Sequence, residues 1–155
     1  MELMSISDKL ADLNWQRNQD WAIPFTSKNA RPAIFAFNGD VYDGLDINSL
    51  DQNKHQLVDN VIRILSGLYG ILMPFDHIKP YRLEMGTQFA NQRGTNLYQF
   101  WGSIITDELN KLLSAKSNSV LINLASNEYF KSVQPKNLKA EIITPVFMDK
   151  KNDFN

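Results

Sequence analysis

Asp76, His77, Lys79, Arg82 and Glu84 fall within nine consecutive positions of the stretch Ile64 to Thr87, ILSGLYGILMPFDHIKPYRLEMGT. Carboxylates so close to cations can move protons or hold an ion pair, and the cations can face phosphates. More polar side chains stand where apolar runs end: Asn38, Asp40, Asn123, Ser126, Asn127 and Glu128. Residues just past strand ends often line the ligand crevice of an open α/β sheet. An enzyme of this kind would use Asp40, Glu84 or Glu128 as acid or base. The plainer reading makes Asp40 a turn residue, Ser126 a helix cap, and Arg82 with Glu84 an ion pair on one face.

Other chemistries are excluded or weakened by spacing. GLYG at Gly67–Gly70 follows a helical pattern, whereas a phosphate loop lies between a strand and a helix. Nothing in the sequence fixes Ser66, His77 and Asp76 in the geometry of a triad. His55 and His77 are the only two imidazoles, at no metal-binding spacing, and cysteine is absent. No metal, cofactor or catalytic residue is therefore assigned. Tyr69, Tyr81, Tyr98, Trp101, Tyr129 and Phe130 lie at helical spacing or beside apolar runs, which favours core packing over base stacking.

These residues need elements to position them. Leu57, Val58, Val61, Ile62, Leu65, Leu68 and Tyr69 predict a helix over roughly Asp51–Tyr69 with one buried face, and Gly70 reads as its C-terminal cap. Pro74 and Pro80 exclude helix through the next segment. Tyr81–Gly86 reads as extended, with Arg82 and Glu84 on one side and Tyr81, Leu83 and Met85 on the other. A second helix is expected over Leu97–Leu113, capped by Thr95 or Asn96, with Gly102 inside it at a close approach to another backbone. Ser5 or Ser7 caps a first helix toward Asn18, with Ile6, Leu10 and Leu13 inward. Ala33–Phe37, Ser119–Leu124 and Ala140–Phe147 read as strands, Pro145 placing the last at an edge. Asn38-Gly39-Asp40 and Asp43-Gly44 read as turns, and Ser114–Asn118 as a linker. Ser126 or Asn127 caps a short helix through Val133, with Glu128 in its first turn. Strands and helices alternate, so the expected class is α/β, a mixed sheet with packed helices forming a single domain over residues 1–155.

Composition agrees with a globular domain: 155 residues, 43% of them hydrophobic. No run approaches the roughly 18 apolar residues of a membrane span, and the N-terminus lacks the basic start and apolar core of a signal peptide. A cytoplasmic protein with no membrane partner is the simplest reading. The net charge of −1 hides an asymmetry of −4 over residues 1–62 against +3 over residues 63–155. Such a split can mark an interaction face.

Several segments together resemble one family. They are LSGLYGILMPFDHIKPYRLEMGT at Leu65–Thr87, AFNGDVYDGL at Ala36–Leu45, NLYQFWGSIITDELN at Asn96–Asn110 and INLASNEYFK at Ile122–Lys131. The opening MSISDKLADLN and the closing TPVFMDKKNDF fit too. They closely resemble the YaaA peroxide-stress proteins, a bacterial family. Its members are longer at both ends, with a Ser-Pro-Ala-Lys motif before this region and a basic segment after it. The resemblance thus implies an internal portion of a YaaA-like domain. It also implies a role in the cytoplasmic response to hydrogen peroxide: binding duplex or structured DNA through a positively charged cleft with a helix-hairpin-helix-type element, protecting DNA and limiting free iron. Val61–Phe75 is taken as that element, and Arg63, Lys79, Arg82, Lys131 and Lys136 as the cations toward phosphate. The alternative is a small-molecule or iron-handling enzyme using Asp40, Glu84 and Glu128. DKKND near the end reads as a hairpin turn whose return strand is missing, so Ala140–Phe147 is expected to leave an unpaired edge that promotes self-association.

Overall fold

The computed structural model describes residues 6–114 and 119–147; the expectations at Ser5, on most of the Ser114–Asn118 linker and on the DKKND turn lie outside them. Within the described residues the helices are α1 (Asp8–Gln19), α2 (Ala33–Ala36), α3 (Asp40–Leu45), α4 (His55–Val61), α5 (Leu97–Trp101), α6 (Ile104–Ser114) and α7 (Asn127–Phe130). The strands are β1 (Arg31–Pro32), β2 (Ile64–Ser66), β3 (Gly70–Leu72), β4 (His77–Ile78), β5 (Val120–Ile122) and β6 (Glu141–Ile143). The chain is α/β, with antiparallel β1–β4 and β2–β3 ladders and a parallel β5–β6 ladder.

The expected long helix Asp51–Tyr69 ends at Val61. Ile62 is already extended (φ −93°, ψ 143°), and residues 64–72 form a β-hairpin, not a helix end. The apolar residues here satisfy both the helical period and alternation. β-branched Ile62, Ile64 and Ile71 favour the extended choice, and tertiary contacts fix it. Ser66 Oγ accepts the Tyr69 N–H at 2.9 Å across the turn, and Trp101 Nε1–H donates to the Gly67 carbonyl at 3.0 Å. Gly70 is therefore not a helix cap. It opens β3 at φ +77°, and a Cβ there would lie 2.7 Å from the Trp101 ring.

The hairpin separates two hydrophobic cores. Its register pairs Ile64 with Leu72 and Leu65 with Ile71. Ile64 and Leu72 belong to one core, with Ala33, Ile34, Ile47, Val58 and Ile78. Leu65 and Ile71 pack against the other, built on Met85, Leu97, Ile105, Leu109, Val133 and Leu138. Alternation along two paired strands thus sends one face to each core.

Other elements depart from expectation for local reasons. Ala33–Phe37 supplies buried Ala33 and Ile34, but as the helical turn α2. Its first amides donate to the Asp76 and Pro74 carbonyls at 2.8 Å, and Arg31–Pro32 is the strand. Asp43-Gly44 lies inside α3, not at a turn. The helix expected over Leu97–Leu113 breaks at Gly102 (φ +51°) into α5 and α6. A Cβ at Gly102 would meet only the Gln99 carbonyl oxygen, at 3.8 Å, so backbone conformation and not close packing requires glycine here. Asn96 does cap α5, accepting the Gln99 N–H at 3.0 Å. The inward stripe expected for α1 faces solvent instead: Leu10 and Leu13 are exposed, and the helix buries Asn14, whose amide donates to the Leu10 carbonyl.

Candidate functional site

Tyr81–Glu84 joins no ladder, and the segment expected to run extended to Gly86 turns at Met85-Gly86, where the Thr87 N–H donates to the Glu84 carbonyl at 3.1 Å. Burial alternates along it as expected: Tyr81 and Leu83 are half-buried and Met85 fully buried, while Arg82 and Glu84 face out. Three contacts fix the segment. The Tyr81 hydroxyl meets Ser66 Oγ at 2.6 Å, and the Gly86 N–H donates to Glu128 Oε1 at 2.7 Å. The Tyr129 hydroxyl donates to Glu84 Oε2 at 2.9 Å. The other oxygen of Glu84 lies 3.7 Å from the Arg82 guanidinium, in a pair whose side chains are 45% and 53% exposed.

Helix α7 supplies the opposite wall. Ser126 caps it, its Oγ accepting the Tyr129 N–H. The Glu128 carbonyl accepts the Tyr98 hydroxyl at 3.0 Å, and Lys131 Nζ stands 5.1 Å above the Tyr98 ring. Arg82, Glu84, Gly86, Tyr98, Ser126, Glu128, Tyr129 and Lys131 thus form one connected surface cluster with a cation at each side.

Electrostatics keep the phenols protonated. Burial pushes the Tyr129 hydroxyl well above the usual tyrosine range, and the hydrogen bond and negative charge of Glu84 push it further. Tyr81 is raised to about 12, first by burial, with Ser66 opposing and Tyr69 and Glu84 adding to the rise. Tyr98 is raised by burial and then by Glu128. Phenols held neutral beside carboxylates act as hydrogen-bond donors, not as bases.

Other expected residues lie elsewhere. Lys79 is buried and its ammonium donates to the Asp20 carbonyl, so it serves as an internal tie and not as a cation facing phosphate. Arg63 turns back onto the carbonyls of Asp59 and Ile62, and it also lines a cavity of about 280 Å³ with Asp76 and Glu108. Lys136 is exposed on the single turn Pro135–Asn137. Asp40 opens α3, and among the described residues no three acidic or histidine side chains, Asp40, Glu84 and Glu128 included, come together as a metal-binding group. Asn38 lines a separate cavity of about 710 Å³ with Arg31, Phe37, Tyr42, Asp43 and Asp46. Asn123 is buried at the end of β5, its Oδ1 accepting the Ala125 N–H. Ser66 is committed to Tyr81 and Tyr69, while Asp76 accepts the Met73 N–H, so no Ser-His-Asp array forms. His55 stacks near Phe75, and His77 sits exposed in β4.

Val61–Phe75 is a helix end and a β-hairpin, not a helix-hairpin-helix element. Among the described residues, two short links between consecutive helices contain glycine: Phe37-Asn38-Gly39 runs from α2 to α3, which opens with Asp40 and Asp43, and Gly102-Ser103 joins α5 to α6. At the second, Ser103 donates to Asp107, and Glu108 follows it, so both links lead into anionic first turns poorly suited to phosphate.

Sequence reasoning places Tyr98 and Tyr129 in the core or among base-stacking rings and misses their hydroxyls as parts of the site. Their partners lie 30 and 45 residues away in the chain. The available signal is chemical: a half-buried tyrosine needs a partner for its hydroxyl, and Glu128 stands beside Tyr129.

These features define an α/β protein with two cores and a polar, tyrosine-bridged surface cluster. No described helix is long and apolar enough to cross a membrane. A family model described as "Peroxide stress protein YaaA" matches residues 1–155, and the chain belongs to that family. It is similar to a UPF0246 protein of Aliivibrio fischeri strain MJ11, 60% identical over 151 residues. A UPF0246 protein of Neisseria meningitidis serogroup B is 59% identical over 151 residues. Each alignment covers 97% of this chain and 58% of the relative, so the chain spans little more than half the length of these relatives.

Proposed function

We propose that this chain is the part of a cytoplasmic peroxide-stress protein that contacts duplex or structured DNA, protecting it from oxidative damage and limiting free iron around it. The observation that supports this most is the position of Arg82 and Lys131. They flank one tyrosine-bridged cluster, both reach solvent, and each is held by a soft partner. A half-exposed ion pair and an exposed cation–π contact are worth about 1 kcal/mol or less each, so both cations can be redirected to phosphates. Lys136 and Lys139 are exposed too, five and eight residues beyond Lys131 along the chain. The acidic balance of residues 1–62 keeps the surface from being basic throughout, which suits a local patch.

The test is a salt-series titration of a labelled duplex with the chain and with Arg82→Ala and Lys131→Ala. Removing one phosphate-bound cation should lower the magnitude of the log-affinity against log-salt slope by about 0.9. Absence of binding at low salt, or slopes unchanged in both variants, would overturn the reading. A second reading, a small-molecule or iron-handling enzyme, keeps one supporting observation: Glu84 on the Tyr81–Thr87 segment and Glu128, which reaches that segment from α7, belong to one cluster. Each carboxylate already accepts a hydrogen bond there, and Asp40 stands apart, which favours the DNA reading.

A further inference from the structure

Glu84 has two suitors. Its Oε2 accepts the Tyr129 hydroxyl at 2.9 Å, within ordinary hydrogen-bond length, while its Oε1 stands 3.7 Å from Arg82, longer than a hydrogen bond. The carboxylate is thus committed to the tyrosine and only loosely to the arginine. Tyr129 can hold this position because α7 is fixed independently of Glu84. Ser126 caps it, the Glu128 carboxylate accepts the Gly86 N–H, and the Glu128 carbonyl accepts the Tyr98 hydroxyl. The Tyr129 ring also packs against the second core.

We propose that Tyr129 is a positioning residue that diverts Glu84 from Arg82 and so leaves the guanidinium available to a phosphodiester oxygen. This rests on the DNA reading of the same cluster. The carboxylate is an internal rival to phosphate for one arginine, and the phenol weakens that rival. Removing the hydroxyl leaves Glu84 charged with one partner fewer; it closes onto Arg82, and phosphate must then displace a tighter pair. The effect depends on the charge of Glu84, so it disappears where that charge is absent. A hydroxyl acting on DNA directly, or one that only stabilised the fold, would not show this dependence.

The experiment is a double-mutant cycle on the full chain, read by fluorescence anisotropy of a short labelled duplex at several salt concentrations. Thermal melts run alongside. Tyr129→Phe should weaken binding by about two- to fivefold, the range set by an exposed ion pair, and flatten the salt dependence. Glu84→Gln should bind as well as or better than the parent. In the Glu84→Gln background, Tyr129→Phe should change nothing. Melts should show both single variants folded, since the phenylalanine ring keeps the packing. Equal weakening in both backgrounds, or no weakening in either, overturns the inference while leaving DNA binding intact. Arg82→Ala runs in parallel: if it alters neither affinity nor salt slope, the arginine meets no phosphate, and both this inference and the Arg82 part of the DNA reading fall.

Discussion

At the scale of single residues, ionisable groups behave according to their neighbours more than their type. Lys79 reads as a surface cation because it stands in a polar run after Ile78. In the fold it lies beneath Asp20 and ties the end of α1 to the strand region around β4. Lys79→Met should therefore destabilise the protein by about 1–3 kcal/mol through the unpaired Asp20 carbonyl, without a change in salt-dependent binding; a melt and a titration together check this. The tyrosines give a pH prediction. Tyr42 and Tyr81 are each raised to about 12, Tyr42 by burial and then by the charge of Tyr81. A phenol whose folded pKa exceeds its unfolded value of about 10 stabilises the fold fully below that value. That stability is lost as pH climbs from about 10 toward about 12. Spectrophotometric titration should show these two phenols ionising late or together with unfolding, whereas titration near 10 in a folded chain would contradict the burial.

At the scale of elements, what is legible in the sequence is local, and what is hidden comes from contacts across the chain. Asn96 and Ser126 are readable as caps because capping needs only a short polar side chain within three residues of an amide. The exposed side of Arg82 and Glu84 is readable from alternation alone. The hairpin is not, because Leu65 and its neighbours fit a helical stripe equally well. The deciding facts, Trp101 on the Gly67 carbonyl and Leu83 beside the turn, lie far along the chain. A Cβ on Gly67 would come within 2.3 Å of the Leu83 carbonyl oxygen, which is backbone and cannot rotate away. Gly67→Ala should thus push the Tyr81–Thr87 segment off the hairpin. The expected result is a loss of about 1–3 kcal/mol, as for other over-packed sites, together with weaker DNA binding; an unchanged melt would mean the two segments do not touch. Gly102 shows the opposite limit: the glycine is visible in the sequence but its reason is not, since the backbone angle and not crowding demands it.

At the scale of the whole molecule, two cores and one bare ladder set the stability. Ile105 is fully buried, so Ile105→Ala should cost about 2–5 kcal/mol, readable as a lowered melting temperature. Leu65 is only partly buried, and its truncation should cost less. The parallel pair β5–β6 leaves Val120, Ile122 and Ile143 exposed, and Val146 and Phe147 beyond it are 80% and 87% exposed. Parallel strands are ordinarily covered on both faces, so this surface should drive self-association of the chain on its own. Light scattering should report growing mass with concentration, reduced by Ile122→Lys; a monomer at every concentration would contradict it.

The hairpin at Ile64–Leu72 gives one face to each core, and this has a consequence for how the protein comes apart. Neither half can open far without exposing one side of the same pair of strands. The two cores should therefore lose protection as one cooperative unit, with the shared strands opening last. In native-state hydrogen exchange the amides that bond across the hairpin, which in an antiparallel pair belong to every second facing pair, should lie among the slowest and follow the free energy of global unfolding. A mutation in either core, at Val58 on one side or Leu109 on the other, should speed exchange at these cross-strand amides alike.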